Sequence, residues 1–350
     1  MQVTLVNATI PFCKRYHGCT SCSKFQVPMP LPPSHSARCS DSLTQTSIHM
    51  RKATIMAQLT KAAHQERTAH EPRDSQLHKV TLKRIDQIND TIRIYRLEIT
   101  KGNAILFLPG QWLDVFVPSV PKAGGFTITS PPSKAIPSSD TSAGYLELAI
   151  KKSPDNPAAQ WLWNSVPEIL NSELNVRVGG SFVWPPPPRD IELSTLRKAV
   201  FVAGGMGINP LVSIISHLAE QSDVPFEVEV LYSFKDPGGE READGMLFVE
   251  RLASIFAREK LKGELKLFLT RAEGVEMGDG PDYVACNEVE VPFQSRRITI
   301  DDIRAAVGQD AAAAVVYICG VPAMTDQFVE ELTSKDPAME PARVMFEKWW

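Results

Sequence analysis

The stretch Lys198–Val202 (K-A-V-F-V) runs straight into Ala203-Gly204-Gly205-Met206-Gly207-Ile208-Asn209-Pro210, and a helical pattern, Leu211–Glu220, follows at once. A short, continuous apolar strand is of the kind buried on both faces of a parallel sheet. Glycines directly after it let the backbone turn sharply and approach a ligand with no Cβ in the way. The helix then aims its free N–H groups and positive dipole end at an anion. The spacing is not G-x-G-x-x-G, and no G-x-x-x-x-G-K-[ST] occurs, so neither the common dinucleotide fingerprint nor a P-loop ATPase is supported. A tight turn that serves packing alone stays open as the alternative.

The rest of the second half repeats the same alternation. Strands are expected at Phe226–Tyr232, Leu265–Thr270 and Val315–Cys319, with helices near Gly245–Arg258 and at Ile300–Val307. Strand–helix alternation of this kind gives a doubly wound α/β parallel sheet, with ligands at the carboxyl ends of its strands. The motif Cys319-Gly320-Val321-Pro322-Ala323-Met324 follows the last of these strands, so it should share a rim with the glycine loop.

The first half has a different period. Val80–Ile85, Thr91–Ile99, Gln111–Val117, Gly144–Ile150 and Glu173–Val178 read as short strands, several of them alternating apolar and polar residues, with one helix expected around Asn156–Leu170. Many short strands with turn punctuation argue for an antiparallel β-barrel or sandwich. Pro185–Pro188 ends it, because four prolines neither donate ladder bonds nor continue a helix. The resulting division is a leader at 1–65, a barrel domain at 75–190 and an α/β domain at 195–350.

Residues 1–65 carry seven Lys or Arg and a single acid, Asp41. An acid-poor, Ser/Thr-rich, weakly basic leader has the composition of an organellar transit peptide. A secretory signal fits less well, since Met1–Pro11 lacks a charged start and a long apolar run. Four of the six cysteines (Cys13, Cys19, Cys22, Cys39) lie here, but a second C-x-x-C is missing and no metal site is expected. A net charge of −4 with no long basic run argues against nucleic acid as a partner. No stretch approaches the 18 or so apolar residues of a transmembrane helix. Six of the seven histidines lie at or before His78, which leaves only His217 for the second half and rules out a hydrolytic or zinc constellation there.

Taken together, the barrel, G-G-M-G-I-N-P, C-G-V-P-A-M and the terminal Phe346-Glu347-Lys348-Trp349-Trp350 are similar to the ferredoxin-NADP reductase superfamily of flavoproteins, over His78 to Trp350. The resemblance implies a flavin on the barrel, FAD with FMN as the alternative, and NAD, with NADP as the alternative, on the α/β domain. The family's R-x-Y-[ST] flavin motif falls on Gly124-Gly125-Phe126-Thr127. Phe126, Thr127 and Ile128 are thereby implied to meet the flavin ring, while Gly124 stands where the phosphate-binding arginine would be. The helix at Pro157-Ala158-Ala159 is implied to face the flavin diphosphate, with Gly179-Gly180-Ser181 beside it and Lys151 and Lys152 as substitute cations. Trp112 is expected in the core.

In the α/β domain the resemblance implies that Gly204, Gly205, Met206, Gly207, Ile208 and Asn209 take the pyrophosphate and that Gly320 lies beside them. Cys319 would stand at the nicotinamide, and Trp350 would cover the flavin ring, so the implied catalytic residues are Cys319, Thr127 and Trp350. The implied activity is hydride transfer between nicotinamide and flavin, then electron delivery to an acceptor of the iron–sulfur, haem or quinone class, in a mitochondrial protein. No Fe–S ligand run is present. Ser233-Phe234-Lys235-Asp236 and Arg271 leave the choice between NAD and NADP open. The competing reading, carried by Gly124, is a non-catalytic dinucleotide-binding module that has lost its flavin.

Overall fold

The computed structural model describes residues 64–137, 142–187, 191–238, 241–271, 282–287 and 289–348. The leader with its four cysteines, most of the acidic loop Glu273–Glu290, and both Trp349 and Trp350 lie outside the described residues. The leader's last two residues are an exception: His64 and Gln65 open a one-turn helix, α1 (His64–Arg67).

Six antiparallel strands form the first sheet: β1 (His78–Asn89), β2 (Ile92–Ile99), β3 (Trp112–Phe116), β4 (Gly124–Thr127), β5 (Tyr145–Lys151) and β6 (Glu173–Gly179), in the order β4-β3-β6-β1-β2-β5. Its two edges meet. Ile128 bridges Leu148, and the Thr129 N–H donates to the Glu147 carbonyl at 2.8 Å. The sheet therefore closes into a barrel, which removes exposed strand edges. Period-two patterning fills it: Leu174, Val176 and Val178 of β6 and Tyr95, Leu97 and Ile99 of β2 point inward.

The single helix expected over Asn156–Leu170 is two short ones, α2 (Pro157–Leu162) and α3 (Val166–Ile169). Pro167 explains the break. Inside one continuous helix it would remove a bond and clash with the preceding turn, whereas in the first turn of a new helix it is tolerated.

The second sheet contains β7 (Lys198–Gly204), β8 (Glu227–Lys235), β9 (Gly263–Thr270), β10 (Tyr283–Ala285), β11 (Glu290–Gln294), β12 (Ala314–Gly320) and β13 (Val344–Lys348), ordered β10-β11-β9-β8-β7-β12-β13. Every pairing is parallel except β10–β11. Helices α4 (Ile208–Ala219) and α5 (Val249–Ala257) pack on one face, α6 (Ile300–Val307) and α7 (Pro322–Ser334) on the other. β7 shows why its run from Ala199 to Ala203 is apolar throughout: Ala199, Phe201 and Ala203 serve the first face, Val200 and Val202 the second. No helix among the described residues is long and apolar enough to cross a membrane.

Both sheets belong to one compact unit, and polar bonds join them. The Asn209 Nδ2 donates to the Ala149 carbonyl at 3.0 Å, the Ser213 hydroxyl to the Ser130 carbonyl at 2.9 Å, and the Tyr317 hydroxyl to the Val183 carbonyl at 2.9 Å. Arg251 Nη2 pairs with Glu147 at 2.9 Å. Phe182 and Trp184, from the segment leaving the barrel, pack into the α/β core. Asn209→Ala should loosen this joint by about 1–2 kcal/mol, the worth of one buried hydrogen bond plus the carbonyl it leaves unsatisfied. Urea unfolding measures this, and an unchanged midpoint would remove Asn209 from the joint.

Candidate functional site

The glycine loop, the end of β12 and the end of β13 form one rim. Cys319 pairs with Ala203 and Gly320 with Lys348, so the carboxyl ends of β7, β12 and β13 lie side by side. The glycines of this rim have different tasks. A Cβ on Gly207 would lie 2.0 Å from the Cys319 carbonyl oxygen and 2.8 Å from the Gly320 nitrogen. At Gly204 it would meet the Met324 sulfur at 2.9 Å, and at Gly320 the Met324 methyl at 2.4 Å. Those three permit close packing. Gly205 differs: its φ is +54° and a Cβ there would meet nothing within 4 Å.

Gly205 therefore borders open space in a backbone conformation that suits glycine. The twelve-residue α4 starts beside it, and no side chain caps its N-terminus. An open glycine cradle at an uncapped helix start fits a dinucleotide pyrophosphate. Met206 is half-buried at the same turn. Ile208 is fully buried in the core, and Asn209 is turned to β5, so neither side chain faces the cradle. Cys319 is wholly buried, and burial, with a smaller push from Glu347, raises its thiol well above the ordinary value. It is a neutral thiol beneath the loop.

Asp236, at the end of β8, is engaged rather than open. Arg271 Nε donates to its Oδ2 at 2.7 Å, Arg241 Nε lies 3.3 Å from Oδ1, and the Gly238 N–H donates to Oδ1 at 2.9 Å. Burial pushes this carboxyl up, but those bonds outweigh it and hold it below the usual range. Two guanidinium groups and one carboxylate thus stand together where the sequence shows a mixture of charges.

On the barrel, β4 is covered from both sides. Phe126 faces inward into the core with Leu113 opposite, only 8 % exposed. Its ring would lie 2.6 Å from a Cβ at Gly124, and Ala158 would lie 2.8 Å away. Position 124 has no room for an arginine. On the other side, the His64 imidazole lies over Gly125, where a Cβ would approach it to 2.1 Å. Thr127 and Ile128 are buried. The α2 start is also taken, since Asn156 Oδ1 accepts from the Ala158 and Ala159 N–H groups at 3.1 and 3.2 Å. Lys151 is exposed, and Lys152 rests 5.6 Å over the Trp163 ring.

A polar network missing from the sequence analysis holds α1 in place. Asp114, fully buried in β3, is met by His64 Nε2 at 3.2 Å, Arg73 Nε at 3.0 Å and Arg177 Nη2 at 2.6 Å. Burial raises its pKa, yet the bonds from His64, Arg177 and Arg73 together outweigh burial and bring it down to about 2. The His64 ring also meets Trp112 edge-on at 4.6 Å, and the Arg73 guanidinium lies 4.9 Å over the same indole. The one sequence signal was a lone acid inside W-L-D-V-F.

Between α1 and β13 lies a cavity of about 350 Å³, lined by Arg67, Thr68, Trp112, Phe346 and Lys348 among others. Small-molecule sites start near roughly 300 Å³. Trp112 is core, as expected, but its edge lines this cavity, whereas Phe346 is 47 % exposed. Arg67 Nε is buried there with no hydrogen-bond partner, and burial lowers its pKa. A half-buried arginine whose Nε has no partner, lining a cavity of this size at the rim that carries the glycine cradle, fits a flavin nucleotide better than β4 does.

No model of a known protein family matches the chain. It is 31 % identical over 312 residues to the oxidoreductase NAD-binding domain-containing protein 1 of Xenopus laevis, covering 86 % of this chain and 88 % of that protein. It is 30 % identical over 308 residues to the Homo sapiens protein of that name, covering 86 % and 89 %. Among solved structures, a ferredoxin NADP+ reductase from Neisseria gonorrhoeae with bound FAD and NADP has a TM-score of 0.56 at 15 % identity, over 79 % of this chain and 100 % of that one. The two-domain fold is thus of the ferredoxin-NADP reductase type. The chain belongs to the family of the oxidoreductase NAD-binding domain-containing protein 1.

Proposed function

We propose that the protein is an NAD(P)H-dependent flavoprotein reductase that passes electrons on to a separate acceptor, with NAD as the preferred nicotinamide cofactor and FAD as the flavin. The observation that carries this reading is the open, positive-φ Gly205 at the uncapped start of α4, on the same rim as the cavity. Residues 75–190 form the flavin domain and residues 195–350 the dinucleotide domain. The acid-poor leader supports import into mitochondria.

When bound, the nicotinamide supplies a hydride and the flavin its acceptor. The chain supplies alignment. Gly205 leaves the backbone open to a pyrophosphate beside the start of α4, where the Ile208 N–H is bonded to the Gly205 and Met206 carbonyls and Pro210 has no N–H. Met324, wedged against Gly204 and Gly320, fixes the floor of the rim. Cys319 sets the spacing beneath Gly207 as a packed, uncharged group, and α1 and Phe346 line the cavity. Trp350, in the chain two residues after β13, is the candidate to cover the flavin ring.

A second reading, a dinucleotide-binding module without flavin, is favoured by the Phe126 ring and Ala158 filling the space at Gly124. A visible spectrum of the purified protein, with anaerobic NADH and then NADPH, separates the two. Bands near roughly 370 and 450 nm that bleach on addition are the expected result, with NADH the faster reductant. Protein that stays colourless after reconstitution with FAD and FMN, yet still binds NADH, would establish the second reading.

A further inference from the structure

We propose that Arg67 binds the phosphate of the flavin nucleotide, taking over the task for which position 124 has no room; this inference rests on the flavin reading above. The neighbouring cations are already engaged. Arg73 and Arg177 pair with Asp114, Lys348 with Asp326, and Lys122 with Glu66 at 2.9 Å. Arg67 lines the same cavity with a buried Nε that has no partner. Leaving a buried N–H donor without an acceptor is costly, so the fold keeps the Arg67 Nε at a place where an anion would relieve it.

The group is also well positioned. His64, one turn earlier, is locked between Gly125, Asp114 and Trp112, so α1 holds Arg67 on a rigid anchor. The other donors that the fold type would offer are closed. Asn156 occupies the N–H groups of α2, and any side chain at 124 meets Phe126 and Ala158. A phosphate oxygen pair matches the planar guanidinium bidentately, a geometry that lysine does not reproduce.

The test is fluorescence titration of the full-length protein with riboflavin, FMN and FAD, in the wild type, Arg67→Gln and Arg67→Lys, with NADH as a fourth ligand. Arg67→Gln should weaken FMN and FAD by roughly 10- to 100-fold, the loss of one or two charge-assisted bonds, with Arg67→Lys intermediate. Riboflavin, which has no phosphate, and NADH should bind as in the wild type. The thermal midpoint of Arg67→Gln should not fall, since the Nε of Arg67 has no hydrogen-bond partner to lose. Equal loss for riboflavin, or loss for NADH and not for FMN, would overturn the assignment, as would unchanged FMN and FAD affinity. A wild type with no affinity for any flavin would bring down the flavin reading and this inference together, an outcome distinct from the others.

Discussion

Alanine at position 207 is expected to cost the protein both its hold on a dinucleotide and about 3 kcal/mol of stability, the upper end for an overpacked site. The added methyl would lie 2.0 Å from the Cys319 carbonyl oxygen and 2.8 Å from the Gly320 nitrogen. Both are main-chain atoms of a fully buried strand paired on either side, β7 to one edge and β13 to the other, so no side-chain rotation relieves the collision. Gly205→Ala is the informative companion. Its methyl meets nothing, and holding alanine at a φ of +54° costs only about 1–2 kcal/mol. It should leave the fold intact while standing in the path of the pyrophosphate. Urea unfolding and NADH titration on the pair check both statements. A wild-type midpoint for Gly207→Ala would refute the packing argument, and wild-type NADH affinity for Gly205→Ala would refute the cradle.

Removing the Asp114 carboxylate should be at least as damaging to stability. Asp114→Ala leaves two guanidinium groups and an imidazole facing a buried gap, and breaking one side of a buried ion pair costs about 3–5 kcal/mol. The pH dependence follows from the same geometry. The folded carboxyl titrates at about 2, below the roughly 3.9 of an unfolded aspartate. Its contribution is therefore fully present above pH ~4 and is lost as the pH falls through ~2, a change on the order of 2–3 kcal/mol. Asp114→Asn should flatten the acid limb of the stability curve in that window. An acid limb identical to that of the wild type would show that the carboxylate is not the group responsible. The same variant should release α1 from Gly125, which is measurable as faster proteolysis near Arg67.

The two-domain fold was legible because each half has its own period: alternation in β1, β2 and β6, continuous apolar residues in β7 and β12. Elements without a period were not legible. β4 is G-G-F-T, and nothing in it alternates; it is a strand because β3 pairs with it, a tertiary fact. β13 looked only like an aromatic terminus until β12 gave it a partner, and α7, which begins within C-G-V-P-A-M, was read only as a motif although Met324, Phe328 and Leu332 fall at helical spacing on its buried side. The rim glycines could be found from their order, but not which of them serves packing and which borders open space, since that depends on Met324 and on the Cys319 carbonyl. The Asp114 network joins residues 64, 73, 114 and 177, and no local rule connects positions so far apart. His64 fell within what composition marked as leader, so its burial against β4 had no local sequence signal. Arg67 was missed because it falls in the unassigned stretch between the leader and the barrel, where no pattern marks it.

The strand order of the second sheet also constrains when the protein can be completed on the ribosome. The barrel strands all lie before residue 180 and close on one another, so that half can form as soon as it emerges. β7 cannot be satisfied so early. One neighbour, β8, follows closely, but the other, β12, arrives only after residues 227–313 have been synthesised. Until then one edge of β7 presents unpaired N–H and C=O groups along a strand that is apolar from Ala199 to Ala203, the kind of edge that recruits foreign strands. The late arrival of Ala314–Gly320 makes the C-terminal third the step on which escape from aggregation depends. A nascent chain stalled before residue 314 should be a chaperone client, even though its barrel is already folded.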